Sequence, residues 1–308
     1  MNIQWYPGHM AKTKRLISEN LKRVDAVCEI VDARIPISSR NPDLDELAAG
    51  KPRLVLLNRI DLADPNITKL WVQYYRSKGI AAIETNSKTG NVSGAFISAL
   101  QELLAEKIAR YQESGQVGRT IRVMVCGIPN VGKSTFINRV AGRSAAKAED
   151  RPGVTRTTQW IRVNQTIDLL DTPGVLWPKF EDKLCGLNLA FTGAVKDEIL
   201  DVETLAAFLM EALADFAPAS LKNRYGINAQ PGDGGIELLE QAAKRRGFRI
   251  SGGEFDLERM SRVLLDEFRS GTLGRITLEL PKDIDREPTE TLLLRSYAEC
   301  DMITEEPF

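Results

Sequence analysis

The run Gly127-Ile128-Pro129-Asn130-Val131-Gly132-Lys133-Ser134 fits GxxxxGK[ST], a spacing suited to gripping a polyphosphate. Its glycines let backbone N–H groups wrap the phosphates, and a helix opening at its end adds a favourable field. Lys133 supplies a cation for the β- and γ-phosphates, and the Ser134 hydroxyl is a ligand for Mg²⁺. Contacts to the nucleotide are expected from Asn130, Val131, Gly132, Lys133, Ser134 and Thr135. About forty residues on, Asp171-Thr172-Pro173-Gly174 closes the apolar run TIDLL. An acid at a strand's carboxyl end beside a phosphate loop is placed to hold a Mg²⁺-bound water. The Gly174 N–H is then in reach of a γ-phosphate oxygen. Between the two motifs lies Pro152-Gly153-Val154-Thr155, and the Thr155 hydroxyl is the expected second protein ligand of Mg²⁺; Thr157 and Thr158 are rivals for that role.

The phosphate loop alone does not separate ATP from GTP. That choice falls to Asn58-Arg59-Ile60-Asp61, which follows the strand RLVLL. The Asp61 carboxylate can accept from both N1–H and the 2-amino group of guanine. Adenine offers neither in that geometry, and an unpaired buried carboxylate is costly. The element resembles the NKxD of GTPases, with Arg59 in place of Lys; its apolar stem can still lie along a base plane. Asn86-Ser87-Lys88, after the strand IAAIE, resembles the loop that supports the base, so Asn86 and Ser87 join Asn58, Arg59, Ile60 and Asp61 as expected GTP contacts.

These residues need strands that end at one edge. Short apolar runs at 25–31, 53–57, 80–84, 120–126, 157–163 and 166–170 predict strands. Helices are predicted at 9–24, 43–49, 66–78, 93–112 and from 133 to about 140. The alternation predicts an α/β fold, a mostly parallel sheet with helices on both faces. After Trp177-Pro178 the pattern turns wholly helical, over 181–193, 203–216, 219–225, 236–246 and 256–269. The expected division is therefore 1–177 for the nucleotide-binding domain, 178–280 for a helical domain and 281–308 for an acidic tail.

Composition narrows the rest. With 308 residues, 43% hydrophobic and 27% charged, the chain is an ordinary globular one. A net charge of −1 gives no global attraction to nucleic acid. Local basic patches lie at Lys12, Lys14, Arg15, Lys22 and Arg23 and at Lys244, Arg245, Arg246 and Arg249. Either patch would neutralise RNA phosphates, although charge runs are commonly solvated helix faces. Four scattered cysteines read as reduced thiols. No run approaches the roughly 18–20 apolar residues of a membrane span, and no signal segment opens the chain, so the expectation is a cytoplasmic, monomeric protein with no membrane partner.

The order of the elements is unusual. NRID and NSK precede GIPNVGKS, PGVT and DTPG, the reverse of an ordinary GTPase, which is what a circular permutation leaves when old termini are joined and new ones cut. This order, the start Trp5-Tyr6-Pro7-Gly8-His9-Met10 and the motifs above resemble the bacterial ribosome biogenesis GTPase A family, also called YlqF. The resemblance spans nearly the whole chain. It implies a circularly permuted P-loop GTPase domain, GTP hydrolysis to GDP and phosphate, and action in late assembly of the large (50S) ribosomal subunit, whose particle stimulates turnover. It further implies rRNA and ribosomal proteins as partners and a helical domain similar to RNA-binding antitermination-type domains.

Hydrolysis needs an aligned water. Many GTPases carry Gln directly after DxxG, whereas Val175 stands here and can neither donate nor accept. His9 is the single histidine; it is either a capping or packing residue or the group that orients water, and the resemblance implies the catalytic role. Asn130 resembles the phosphate-loop Asn that helps hold K⁺ in cation-activated GTPases; a plain loop-bracing Asn is the other reading. Two rival functions stand beside this one. A P-loop kinase or ATPase would have no use for a guanine-reading Asp61, and a nucleotide-gated RNA scaffold would need no hydrolysis.

Overall fold

The computed structural model of the chain describes residues 15, 17–116, 118–142, 146, 158–173, 182–195, 201–285, 287, 294 and 295. Among the described residues six strands are present: β1 (Ala26–Asp32), β2 (Arg53–Asn58), β3 (Ala81–Glu84), β4 (Ile121–Gly127), β5 (Gln159–Arg162) and β6 (Ile167–Asp171). They form one sheet in the order β3-β2-β1-β4-β6-β5. Every neighbouring pair is parallel except β5 with β6, which is antiparallel. All seven residues of β1 are buried, as a strand covered on both faces requires, and its AVCEIVD run is accordingly near-continuous in apolar character.

This order explains how a rotated sequence builds an ordinary site. β1 pairs with β4 in parallel, although paired residues lie 97 positions apart in the chain, Ala26 opposite Val123 and Val27 opposite Met124. Five parallel strands then finish at the same edge, where α/β sheets bind ligands. Where along the chain each strand falls does not matter to that edge.

Helix placement follows the periodicity with one break. A helix α1, described at residues 15 and 17–21, sets Ile17 and Leu21 with Val24 against Val27, Met124, Cys126 and Leu170 of the sheet. Next come α2 (Asp43–Leu47), α3 (Pro65–Ser77), α4 (Val92–Leu103), α5 (Ala105–Glu113) and α6 (Lys133–Ala141). Asp64 caps α3 by accepting from the N–H groups of Asn66 and Ile67, and Pro65 occupies the first turn, where its missing N–H costs nothing. The single helix expected over 93–112 is two. Leu104 leaves helical geometry with φ −108° and is itself buried, while α5 buries no side chain. Neither Gly nor Pro marks the break, so periodicity could not show it.

The described residues group into two compact units. One holds the sheet and its helices, up to residue 173, together with residues 279–281. Those three residues, expected at the end of the helical segment and the start of the tail, lie with the sheet unit instead. The Glu279 carboxylate accepts from the backbone N–H of Ile37 at 2.5 Å and from the N–H and hydroxyl of Ser38, and its carbonyl accepts from Trp71 Nε1 at 3.0 Å.

The other unit is helical: α7 (Lys183–Phe191), α8 (Val202–Phe216), α9 (Pro218–Tyr225), α10 (Gly235–Arg246) and α11 (Leu257–Ser270). Asp201 caps α8. α10 approaches α8 so closely that a Cβ on Gly235 would stand 2.0 Å from the Ala207 carbonyl. Glu267 of α11 ties three helices, receiving Arg224 Nε at 2.9 Å, Tyr225 Oη at 2.7 Å and Arg246 Nη2 at 2.7 Å. Burial pushes the Glu267 carboxyl up, but hydrogen bonds from Arg224 and Tyr225 and the nearby guanidinium charges hold it below its ordinary value. Among the described residues no single helix is long and apolar enough to cross a membrane.

Candidate functional site

The phosphate loop runs from the end of β4 at Gly127 into α6 at Lys133. Its curvature needs two left-handed residues, Asn130 at φ 59° and Gly132 at φ 95°. Glycine is required at 132 for space as well, because a Cβ there would lie 2.4 Å from Asn58 Nδ2. Gly127 is equally hemmed in, its Cβ position lying 2.8 Å from the Ile30 carbonyl. So the loop is shaped against β1 and against the residue that ends β2.

Asn58 is the joint. Its Nδ2 donates to the Val131 carbonyl at 2.8 Å, and its Oδ1 accepts from Ser87 N–H at 3.0 Å, Ser87 Oγ at 2.8 Å and Thr85 Oγ1 at 3.3 Å. One buried side chain thus binds three loops: the end of β2, the loop after β3 and the phosphate loop. Arg59, itself left-handed at φ 62°, donates through Nη2 to the Asn130 carbonyl at 2.6 Å and lies 3.8 Å from Asp32 through Nε. Its head group therefore braces the phosphate loop. Ile60 N–H reaches the Thr85 carbonyl at 3.4 Å, and the Asp61 carboxylate that follows is exposed.

Asn86 folds its own loop, accepting from the N–H groups of Lys88 at 3.0 Å and Thr89 at 3.3 Å. Arg139 of α6 reaches back to this loop, bonding the carbonyls of Ser87 and Lys88. Two clusters distant in sequence are thereby locked together from both ends of α6.

At the carboxyl end of β6, Asp171 is fully buried. Its Oδ1 is paired with the Lys133 ammonium, while Oδ2 is buried with no hydrogen-bond partner among the described residues. A buried, half-satisfied carboxylate suits a hard cation such as Mg²⁺. Thr172 anchors the start of the next loop by donating to the Val125 carbonyl at 2.8 Å.

This arrangement has known counterparts. Residues 122–222 match the family described as "50S ribosome-binding GTPase". Ribosome biogenesis GTPase A of Bacillus cereus is 46% identical over 287 residues, covering 93% of this chain and 97% of that protein. The chain belongs to the ribosome biogenesis GTPase A family. The Thermotoga maritima protein of that name is 30% identical, over 92% of this chain and 96% of its own. A solved GDP-bound structure of T. maritima YlqF covers 87% of this chain and 100% of its own, with a TM-score of 0.62 at 27% identity. A second, described as GNP-bound YlqF, gives 0.61 at 28%.

As a member of this family, the chain is a GTP hydrolase that binds GTP and GDP and functions in ribosome biogenesis. The structure brings Asn58, Arg59, Ile60, Asn86, Ser87, Asn130, Val131, Gly132, Lys133 and Asp171 to one edge of the sheet, with Ser134 and Thr135 in the first turn of α6. His9, Thr155, Thr157, Gly174 and Val175 lie outside the described residues.

Two contributors were not anticipated. Asp32, at the end of β1, takes Arg34 Nη2 at 2.7 Å and Nε at 3.0 Å, and Arg34 is fully buried. Burial pushes the Asp32 carboxyl up, but the charge and hydrogen bonds of Arg34, with Arg59 beyond, hold it below the usual carboxylate range. The other is Arg139. The available signal for Asp32 was an acid and a base two residues apart at the end of a buried strand, which demands pairing. Arg139 gave no signal, being an ordinary helical cation until the loop after β3 is placed beside it.

Proposed function

We propose that this GTPase binds the guanine base at Asp61 and the phosphates at 130–135, and that it acts in late assembly of the large ribosomal subunit with turnover stimulated by that particle. The observation that carries the nucleotide reading is the Asn58 joint, which fixes the base-side loops to the phosphate loop. Lys133 serves the β- and γ-phosphates, exchanging its Asp171 partner for phosphate oxygens. Asn58, Arg59 and Ser87 keep the base-side loops rigid, so the nucleotide meets a preformed cleft rather than one it must order.

Mg²⁺ would be held by Ser134, Thr155 and, through water, Asp171, and would neutralise charge on the β- and γ-phosphates. Gly174 offers an N–H to the γ-phosphate. Val175 cannot align water, so His9 does so, orienting or deprotonating it. Asn130 helps hold K⁺, a charge that substitutes for an arginine finger; equal rates in K⁺ and Na⁺ would speak against this. The assembly role rests on the relatives' names and the family described as binding the 50S subunit.

The proposal takes the protein to be a cytoplasmic monomer that engages rRNA and ribosomal proteins. Of its C-terminal cations, Lys244 and Arg245 are exposed and suit phosphates. Arg246 is committed to Glu267, and Arg249 to the Gly253 carbonyl at 2.6 Å and the Phe255 ring. The test is phosphate release with and without large-subunit particles, for the native chain and His9→Ala. Stimulation lost in the variant with GTP affinity intact is the expected result. No stimulation of the native chain would remove the assembly reading, and a fully stimulated His9→Ala would remove the histidine's role.

A further inference from the structure

Strand β5 closes one edge of the sheet, and its Trp160 is one of few large apolar side chains left exposed among the described residues, at 36%. In register it continues the row Val27, Met124, Leu170, whose three members are core beneath α1. Trp160 is the outermost member of that row, on the edge strand, and is not part of the buried cluster. Two guanidiniums lie over its ring, Arg23 at 5.6 Å from the end of α1 and Arg122 at 5.4 Å from β4.

Neither guanidinium is in an ion pair among the described residues, while the carboxylates nearest Arg122 are already engaged. Asp168, opposite Arg122 in the sheet, takes Arg162 Nε at 3.1 Å. Asp25 takes Lys107 Nζ at 2.6 Å, Tyr111 Oη at 3.2 Å and the backbone N–H of Arg122 at 2.8 Å. Arg122 is thus left with an aromatic face and solvent. The same Asp25 links a second stack, Arg119 over Tyr111 at 4.4 Å.

We propose that the exposed Trp160 indole, flanked by Arg23 and Arg122 at the β5 edge of the sheet, is a stacking site for an unpaired RNA nucleotide. A base would take the place of a guanidinium over the indole's π-face, and the displaced guanidinium would pair with the phosphate or stack on the base, the combination that single-strand binders use. An acidic peptide would use the two cations but gain little from the indole. The site rests on the assembly reading above, since it supposes an RNA-rich partner, but no residue of the nucleotide cleft takes part.

The test uses the full chain as native protein, Trp160→Ala, Trp160→Phe and Arg122→Gln, with a fluorescent single-stranded eight-nucleotide RNA and with large-subunit particles. Trp160→Ala is expected to weaken oligonucleotide binding about tenfold or more, as removal of a stacking aromatic does. Trp160→Phe should restore most of it, because a ring is retained. Arg122→Gln should lower the slope of log affinity against log salt by about one. GDP affinity should stay unchanged in all three, which also reports that each is folded. Trp160→Ala binding RNA as tightly as native protein would overturn the site, as would equal loss in Trp160→Phe and Trp160→Ala. Native protein that sediments with particles while Trp160→Ala does so equally well would remove this site alone; native protein that fails to sediment in its GTP-like state would remove the assembly reading instead.

Discussion

Asn58 donates through Nδ2 to the Val131 carbonyl at 2.8 Å, joining residues that are 73 positions apart in the chain. In a permuted GTPase this bond carries particular weight. The base-side loops come from the first third of the chain and the phosphate loop from the middle, so side chains must align them. Asn58, at the end of β2, does so with a donor for the phosphate loop and an acceptor for the loop after β3.

Replacing Asn58 with Ala removes these bonds and leaves the Val131 carbonyl and Ser87 hydroxyl to find new partners in a buried setting. Stability should fall by about 2–3 kcal/mol, since orphaned buried polar groups each cost about 1–3 kcal/mol and some relaxation is available. GDP affinity should fall by at least about tenfold, through misalignment of the loops that hold the nucleotide. Denaturant unfolding and nucleotide titration on one preparation measure both.

Gly132→Ala should be more damaging to binding than to folding. The new methyl must enter a left-handed conformation and stand 2.4 Å from Asn58 Nδ2. The strain, of order 1–3 kcal/mol, falls on the loop that holds phosphate. Calorimetric titration with GDP should show loss of about a hundredfold, with the thermal midpoint lowered by only a few degrees.

Asp32 gives a pH dependence of definite sign. Its folded value lies below the ordinary carboxylate value of about 3.9, so folding favours the ionised form. The stabilisation is therefore complete above about pH 5 and drains away as pH falls through the depressed folded value. In Asp32→Asn this component is absent and the fully buried Arg34 loses its counter-charge, so stability near neutrality should drop by about 3–5 kcal/mol. Between about pH 5 and 2 the stability of the variant should change less steeply than that of native protein. Urea midpoints across that range are the measurement.

Much of this was legible in the residues. GIPNVGKS, NRID and DTPG named the chemistry because polyphosphate, guanine and Mg²⁺ leave few residue types and spacings that work. The strands were legible because burial on both faces forces unbroken apolar runs. The path of Glu279 was hidden: its carboxylate bonds Ser38, 241 residues earlier, and nothing local to LELPKD records that. The commitment of Arg246 to Glu267 was hidden for the same reason, so four adjacent cations read as one surface patch when two of them are occupied. Trp160 read as one residue of the predicted strand 157–163 until register placed it at the outer end of the row Val27, Met124, Leu170.

The account stands on Asp61 and Lys133 serving opposite ends of one nucleotide. Asp61→Asn provides the most direct measurement, because an amide matches the N1–H and 2-oxo edge of xanthine as a carboxylate matches guanine. Titrating GDP, XDP and ADP into native protein, Asp61→Asn and Lys133→Ala should show the first variant losing GDP affinity by about a hundredfold or more and coming to prefer XDP. Lys133→Ala should weaken all bases alike, through the phosphates they share. An Asp61→Asn protein that still prefers GDP over XDP as native protein does would contradict the assignment of the base to Asp61.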